Sequence, residues 1–200
     1  MNLPNKLTIF RIILVPIIVI ISIVPITGQF LNIDISFWIM NLIFIIASIT
    51  DQLDGYIARS RNQITTFGKF MDPLADKILV VSVMLILVEK MLIPAWIPII
   101  VIIREFIVSG YRLLCVEKNG KVVAANIWGK LKTVTQMFAI IFAFININNT
   151  NIFGSFFKGG LAGLELIINI ITTVLFIVSS VATVLSGYTY LKCGKELFKD

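Results

Sequence analysis

Asp51-Gln52-Leu53-Asp54-Gly55-Tyr56-Ile57-Ala58-Arg59, then eight residues, then Gly68-Lys69-Phe70-Met71-Asp72-Pro73-Leu74-Ala75-Asp76, is the stretch on which the reading of this chain turns. The chain holds 11 acidic residues in 200, and four of them fall within these 26 positions, between apolar runs. Carboxylates at the edge of apolar segments are costly, so their clustering points to a function. On a helix Asp51 and Asp54 are i,i+3 neighbours and Asp72 and Asp76 are i,i+4 neighbours, so each pair projects from one face. Gly55, Ala58 and Gly68 are small residues on or beside those faces, which lets two helices approach and leaves room for a ligand. Pro73 implies that the helix carrying Asp76 either starts at Asp72 or bends there.

The surroundings of this stretch are lipid-like. The chain is 58% hydrophobic and 14% charged, and its mean hydropathy is +0.98, well outside the range of soluble domains. Six apolar runs, Leu7–Val24, Phe37–Thr50, Leu74–Leu92, Pro94–Leu114, Ala125–Ile147 and Leu164–Leu185, each approach the ~20 residues that cross a bilayer. Backbone groups in lipid must bond within their own segment, so the runs are expected to be helices. The second run gains length if Ile33 to Ile35 open it and if it continues past Arg59 into water. No repeat or long linker divides the chain. The expected fold is therefore all-α, one domain over residues 1–200: an integral membrane bundle of six transmembrane helices with a short N-terminal interfacial helix. Asn146 to Gly163 reads as an external loop.

Nearly all lysines and arginines fall at the N-terminus, in the second and fourth inter-span segments and at the C-terminus, leaving Lys90 and Lys158 for the other side. The positive-inside rule then places both termini and the acidic cluster at the cytoplasmic face of a cytoplasmic membrane. A net charge of +6 suits an anionic leaflet or substrate, and no basic surface interleaved with aromatics argues for nucleic acid. The chain has no histidine, so acid–base work falls to carboxylates, lysines or water.

Four clustered carboxylates cannot all remain ionised unaided, since a like-charge pair at ~4 Å costs roughly 4 kcal/mol at an effective dielectric of 20. Two divalent cations would balance them, and an all-oxygen donor set selects Mg²⁺ or Mn²⁺ over zinc. Such a pair of ions suits phosphoryl transfer. A divalent-cation transporter is the alternative from another class, but the acids crowd at one mouth instead of lining the midplane, and transport gives no role to Arg59.

The motif D-x-x-D-G-x-x-A-R-x8-G-x-x-x-D-x-x-x-D, met here at every fixed position, resembles the signature of the CDP-alcohol phosphotransferase family. The resemblance implies that Asp51 and Asp72 bridge two metal ions, that Asp54 holds one, and that Asp76 holds the other and acts as the catalytic base. It also implies that the CDP-lipid meets Gly55, Arg59 and Thr65, with Ala58 and Gly68 in the same wall. A homodimer is implied as well. Arg59 suits a bidentate grip on phosphate that lysine would not reproduce.

The acceptor must be read from the rest of the chain. Leu3-Pro4-Asn5-Lys6-Leu7-Thr8-Ile9-Phe10-Arg11, Arg104-Glu105 with Arg112, and Gly129-Lys130-Leu131-Lys132-Thr133 resemble the bacterial branch of the family that makes phosphatidylglycerol phosphate. Arg104 lies too deep along its helix to be a simple topology signal, because snorkelling reaches only a turn or two. It calls for an anion. Arg104, Arg112, Lys130 and Lys132, with Glu105 orienting an arginine, are therefore the expected pocket for the phosphate of glycerol 3-phosphate. Thr8, Arg11 and Lys77 are further candidates. The implied reaction joins CDP-diacylglycerol and glycerol 3-phosphate and releases CMP. Inositol phosphate, serine or phosphatidylglycerol stand as alternative acceptors.

Overall fold

The structure, a computed structural model, describes residues 3–60, 66–117, 127–146, 151–153 and 163–194. Six long helices account for most of them. α1 spans Leu3–Ile23, α2 Ile35–Ser60, α3 Thr66–Glu89, α4 Trp96–Glu117, α5 Ile127–Phe144 and α6 Gly163–Gly194. A two-stranded antiparallel hairpin, β1 (Gln29–Phe30) and β2 (Ile33–Asp34), joins α1 to α2. Leu31 and Asn32 at its tip both take positive φ, as a two-residue type I′ turn requires. Ile33 thus belongs to a strand and α2 opens at Ile35, so only the last of the three expected residues lengthens the second apolar run.

Each of the six apolar runs contributes the greater part of one helix among the described residues. Two stretches, Asn5–Ile23 and Gly163–Lys192, are long and apolar enough to cross a membrane by length and composition. The outside of the bundle repeats the message on every helix: Ile13 and Ile20, Leu42 and Ile49, Leu74 and Leu85, Ile103 and Phe106, Val134 and Phe138, and Ile170 and Val181 are all exposed. Soluble proteins do not expose apolar surface so continuously.

The helices pack through large aromatic and aliphatic side chains as well as small ones. α1 lies along α2 and α3, α5 along α6 with a flank on α2, and α4 against α6. Phe37 of α2 meets Phe144 of α5 edge to face, with ring centroids 6.0 Å apart, inside a core that includes Ile18, Met40, Phe44, Leu79, Leu87, Ile140 and Phe176. α6 turns a small polar stripe inward, with Thr172, Ser179, Thr183 and Ser186 all buried. In lipid, association rests on this kind of close fit, since expelling water from apolar surface contributes little.

The short interfacial helix expected at the N-terminus is not a separate element: Leu3 to Arg11 forms the first turns of α1, which continues through Pro16 to Ile23. The reason is a single inward stripe, Asn5, Thr8, Arg11, Val15, Ile18 and Ser22, all buried. Its spacing of three or four residues fits one helical face from end to end. α3 likewise runs unbroken through Asp72 and Pro73 from Thr66, so Asp72 does not cap its start. α6 continues past the expected Leu185 to Gly194.

At the other end of the bundle α3 closes with Met91 in the left-handed region, φ 57°. The Leu92 N–H bonds to Leu87 O and the Met91 N–H to Val88 O, both at 2.9 Å, the pairing of a Schellman cap. Asn151 and Ile152 dock on this corner, through Asn151 Nδ2 to Met91 O at 2.7 Å and Ile152 N to Leu92 O at 3.0 Å. Met91 is 76% exposed, so its side chain contributes little to the core. Met91→Gly is expected to stabilise the protein by about 1 kcal/mol, read as a higher melting temperature in detergent.

Candidate active site

The helix backbones deliver the signature motif as its spacing implies. α2 is continuous through Asp51, Asp54, Gly55, Ala58 and Arg59, and α3 through Gly68, Asp72 and Asp76. The side chains of Asp54, Ala58, Arg59, Asp72 and Arg112, and the whole of Thr65, lie outside the described residues. Of the four aspartates, Asp51 and Asp76 have described side chains, and among the described residues no group of three or more potential metal ligands is assembled.

Asp51 faces α1. Arg11 Nη1 stands 2.7 Å from Asp51 Oδ1; the arginine side chain has 0% exposure and that of Asp51 33%. The resemblance had suggested Thr8 and Arg11 on a surface-lying segment, but both are fully buried. Asp76 lines a cavity with Glu105 and Lys132, so Arg11 reaches Asp51 from α1 and Lys132 reaches the Asp76 cavity from α5.

A cavity of about 200 Å³ opens beside Asp76, between α3, α4 and α5. Its polar lining includes Lys77, Arg104, Glu105, Ser109, Lys132 and Gln136. Glu105 is the hub. Its Oε1 accepts from Arg104 Nη1 and from Lys132 Nζ, each at 2.7 Å, while Oε2 is 3.5 Å from Lys77 Nζ. Lys77 also donates to Ser109 Oγ, whose hydroxyl in turn donates to the Glu105 carbonyl at 2.7 Å.

Arg104 has further partners on α6. Its Nη2 donates to Ser186 Oγ of α6 at 2.7 Å, and its guanidinium lies 6.0 Å from the Tyr190 ring centroid. Tyr190 is itself packed edge to face on Tyr111. The Arg104 side chain runs close to the backbones of α5 and α6: a Cβ on Gly129 would come 3.4 Å from Arg104 Nη2, and one on Gly187 3.5 Å from Arg104 Cγ, both ordinary contact distances. The anion it meets is the neighbouring Glu105.

Arg104, Glu105 and Lys132, singled out from the sequence, come together, and Lys77 joins them. Lys130 does not: it is exposed, because two residues of helix turn it away from the face that carries Lys132. Ser109, Gln136, Ser186 and Tyr190 escaped the sequence reading. Small polar residues within an apolar run look like ordinary packing groups, though Ser179, Thr183, Ser186 and Tyr190 do recur on one helical face.

Two apolar grooves border the polar cavity. One, of about 480 Å³ and including Leu74, Ile78, Ile102 and Phe106, shares Lys77, Glu105 and Ser109 with it. The other runs between α2 and α5 past Ile45, Ser48 and Ile49 and shares Met137.

Asp76 thus stands at a cation-rich cavity bordered by lateral apolar grooves. The family model for CDP-alcohol phosphatidyltransferase matches residues 1–185. The chain belongs to that family. It is 50% identical over 144 residues, 70% of this chain and 74% of the relative, to the CDP-diacylglycerol–glycerol-3-phosphate 3-phosphatidyltransferase of Bacillus subtilis. The protein of that name from Rickettsia bellii is 33% identical over 198 residues, 98% of this chain and 97% of its own length. The Haemophilus influenzae protein of that name is 44% identical over 145 residues, 70% of this chain and 73% of its own. As a family member the chain is an enzyme of phosphatidyl transfer, and its helical, apolar build is that of a membrane-associated one.

Proposed function

We propose that this enzyme transfers the phosphatidyl group of CDP-diacylglycerol to glycerol 3-phosphate, giving phosphatidylglycerol phosphate and CMP. The observation that carries the reading is the single cavity in which Asp76 shares a volume with Lys77, Arg104 and Lys132. One acceptor molecule can then place its phosphate among the cations and its hydroxyl at the carboxylate. The names of the relatives support the same acceptor. Those names also favour phosphatidyl transfer over cation transport.

Asp76 takes the proton from the acceptor's primary hydroxyl as that oxygen attacks the lipid-linked phosphorus, and CMP leaves. Lys132 and Lys77 hold the acceptor phosphate, Arg104 anchors the cluster, and Arg59 is assigned to the CDP-lipid phosphates together with Gly55, Ala58, Thr65 and Gly68. Arg112 and Lys130 are assigned to the approach of the acceptor. A direct displacement suffices, since the charges that develop on the phosphates are met by fixed cations.

Asp51, Asp54, Asp72 and Asp76 would hold two divalent ions. The donor chemistry fits Mg²⁺ or Mn²⁺, since the four donors are all carboxylates, with Arg11 offsetting part of the charge on Asp51. When bound, such ions would neutralise the pyrophosphate and the departing oxygen. The acyl chains of the substrate would lie in the apolar grooves beside the cavity. The apolar exterior of all six helices supports a multi-pass bundle in a bacterial cytoplasmic membrane, with both termini and the site cytoplasmic, and a homodimer is part of the same reading.

The test is CMP release by the purified enzyme with glycerol 3-phosphate, inositol phosphate, serine or phosphatidylglycerol offered separately, with Mg²⁺ and with chelator. Release specific to glycerol 3-phosphate and abolished by chelation is expected. Equal or greater release with another acceptor would overturn the assignment, and full activity in chelator would overturn the metal site.

A further inference from the structure

Three cations from three helices converge on one carboxylate, that of Glu105. None of the three depends on Glu105 alone for its place. Arg104 is fixed by Ser186 and Tyr190. Lys77 is fixed by Ser109, and Lys132 is buried on the inner face of α5. What Glu105 adds is charge at the place where the acceptor phosphate must bind. Three cations against one carboxylate leave the Glu105 cluster net positive, as binding of a phosphomonoester dianion requires, and Asp76, which lines the same cavity, lowers that surplus.

The product of the proposed reaction keeps the acceptor's phosphate. A pocket that gripped this dianion with three uncompensated cations, in surroundings of low dielectric, would bind it strongly and release product slowly. Building on the acceptor-pocket reading above, we propose that Glu105 is an internal stand-in for the acceptor phosphate. Its carboxylate occupies the cations while the pocket is empty, shares Lys132 and Lys77 with a phosphomonoester when one arrives, and retakes them as product leaves. Glu105 is thereby a positioning residue that sets both the preference for a dianionic acceptor and the rate of product release.

The experiment uses the full-length enzyme in detergent micelles with CDP-diacylglycerol, and inorganic phosphate as the probe of the pocket. In the wild type, inorganic phosphate should compete with glycerol 3-phosphate, and Lys132→Met should weaken that competition. Glu105→Gln should tighten phosphate inhibition by at least about fivefold and lower KM for glycerol 3-phosphate. The same variant should lower kcat and produce a burst of CMP ahead of a slow steady state, and Glu105→Asp should restore wild-type behaviour. A folded Glu105→Gln with unchanged or weaker phosphate inhibition and no burst overturns the stand-in role while leaving the pocket in place. Failure of phosphate to compete in the wild type, or indifference of its competition to Lys132→Met, overturns the pocket assignment and the stand-in role with it. Melting temperatures of each variant separate these outcomes from loss of fold, and Glu105→Asp keeps the test open if the glutamine variant does not fold.

Discussion

Asp76→Asn is expected to lower the rate of CMP release by roughly 10³–10⁴-fold or more, with the protein folded and the acceptor still able to bind. The amide nearly matches the carboxylate in shape, so packing on α3 between buried Ala75 and Leu79 should persist. What it removes is the group that accepts the hydroxyl proton and, in the proposed reading, one ligand of the metal pair. Because Lys77, Arg104 and Lys132 are untouched, competition by inorganic phosphate should be retained. Activity within tenfold of wild type would take the role of base away from Asp76. Loss of phosphate competition together with activity would instead indicate a collapsed cavity.

The second large effect concerns stability. Arg11→Met should destabilise the metal-free enzyme by about 2–4 kcal/mol, because it removes a fully buried guanidinium that stands 2.7 Å from the Asp51 carboxylate. The value sits at the low end for a broken buried pair, since the Asp51 side chain is one-third exposed and solvent screens part of the cost. If the acidic cluster binds divalent ions, Mg²⁺ should raise the melting temperature of Arg11→Met more than that of the wild type, because the ions take over the compensation that Arg11 provides. Equal thermal response of the two proteins to Mg²⁺ would argue that Asp51 is not part of a metal site. A fully stable Arg11→Met would show that the pair contributes no net stability.

Much of the architecture was readable without coordinates. Six apolar runs became six helices because a chain this rich in Ile, Leu, Val and Phe has few ways to satisfy its backbone away from water. The carboxylate spacing placed Asp51 and Asp54 within one turn of α2, and Asp72 and Asp76 within one turn of α3. Arg104 was recognisable because charge that deep in an apolar helix requires a partner, and Glu105 and Lys132 because their stretches resemble the bacterial branch of the family.

The errors have equally physical causes. Leu3 to Arg11 looked like an interfacial segment because its polar residues were counted as solvent-facing. Asn5, Thr8 and Arg11 instead continue the inward stripe of α1, and a buried Arg11 becomes tolerable only once α2 brings Asp51 to it. Lys130 and Lys132 were grouped as parts of one stretch that resembles the bacterial branch, although a two-residue step on a helix separates their directions.

What the amino-acid order settled by itself was the local and compositional part: helical spans, the apolar exterior and the spacing of the aspartates, each governed by the immediate solvent and by helical periodicity. The tertiary structure decided which charges meet. Glu105 as the hub of cations from α3, α4 and α5, Arg104 between two glycines, and Arg11 on Asp51 all depend on helices far apart in sequence lying side by side. The strength of an ion pair is set by distance and local dielectric, and both are properties of the packed bundle.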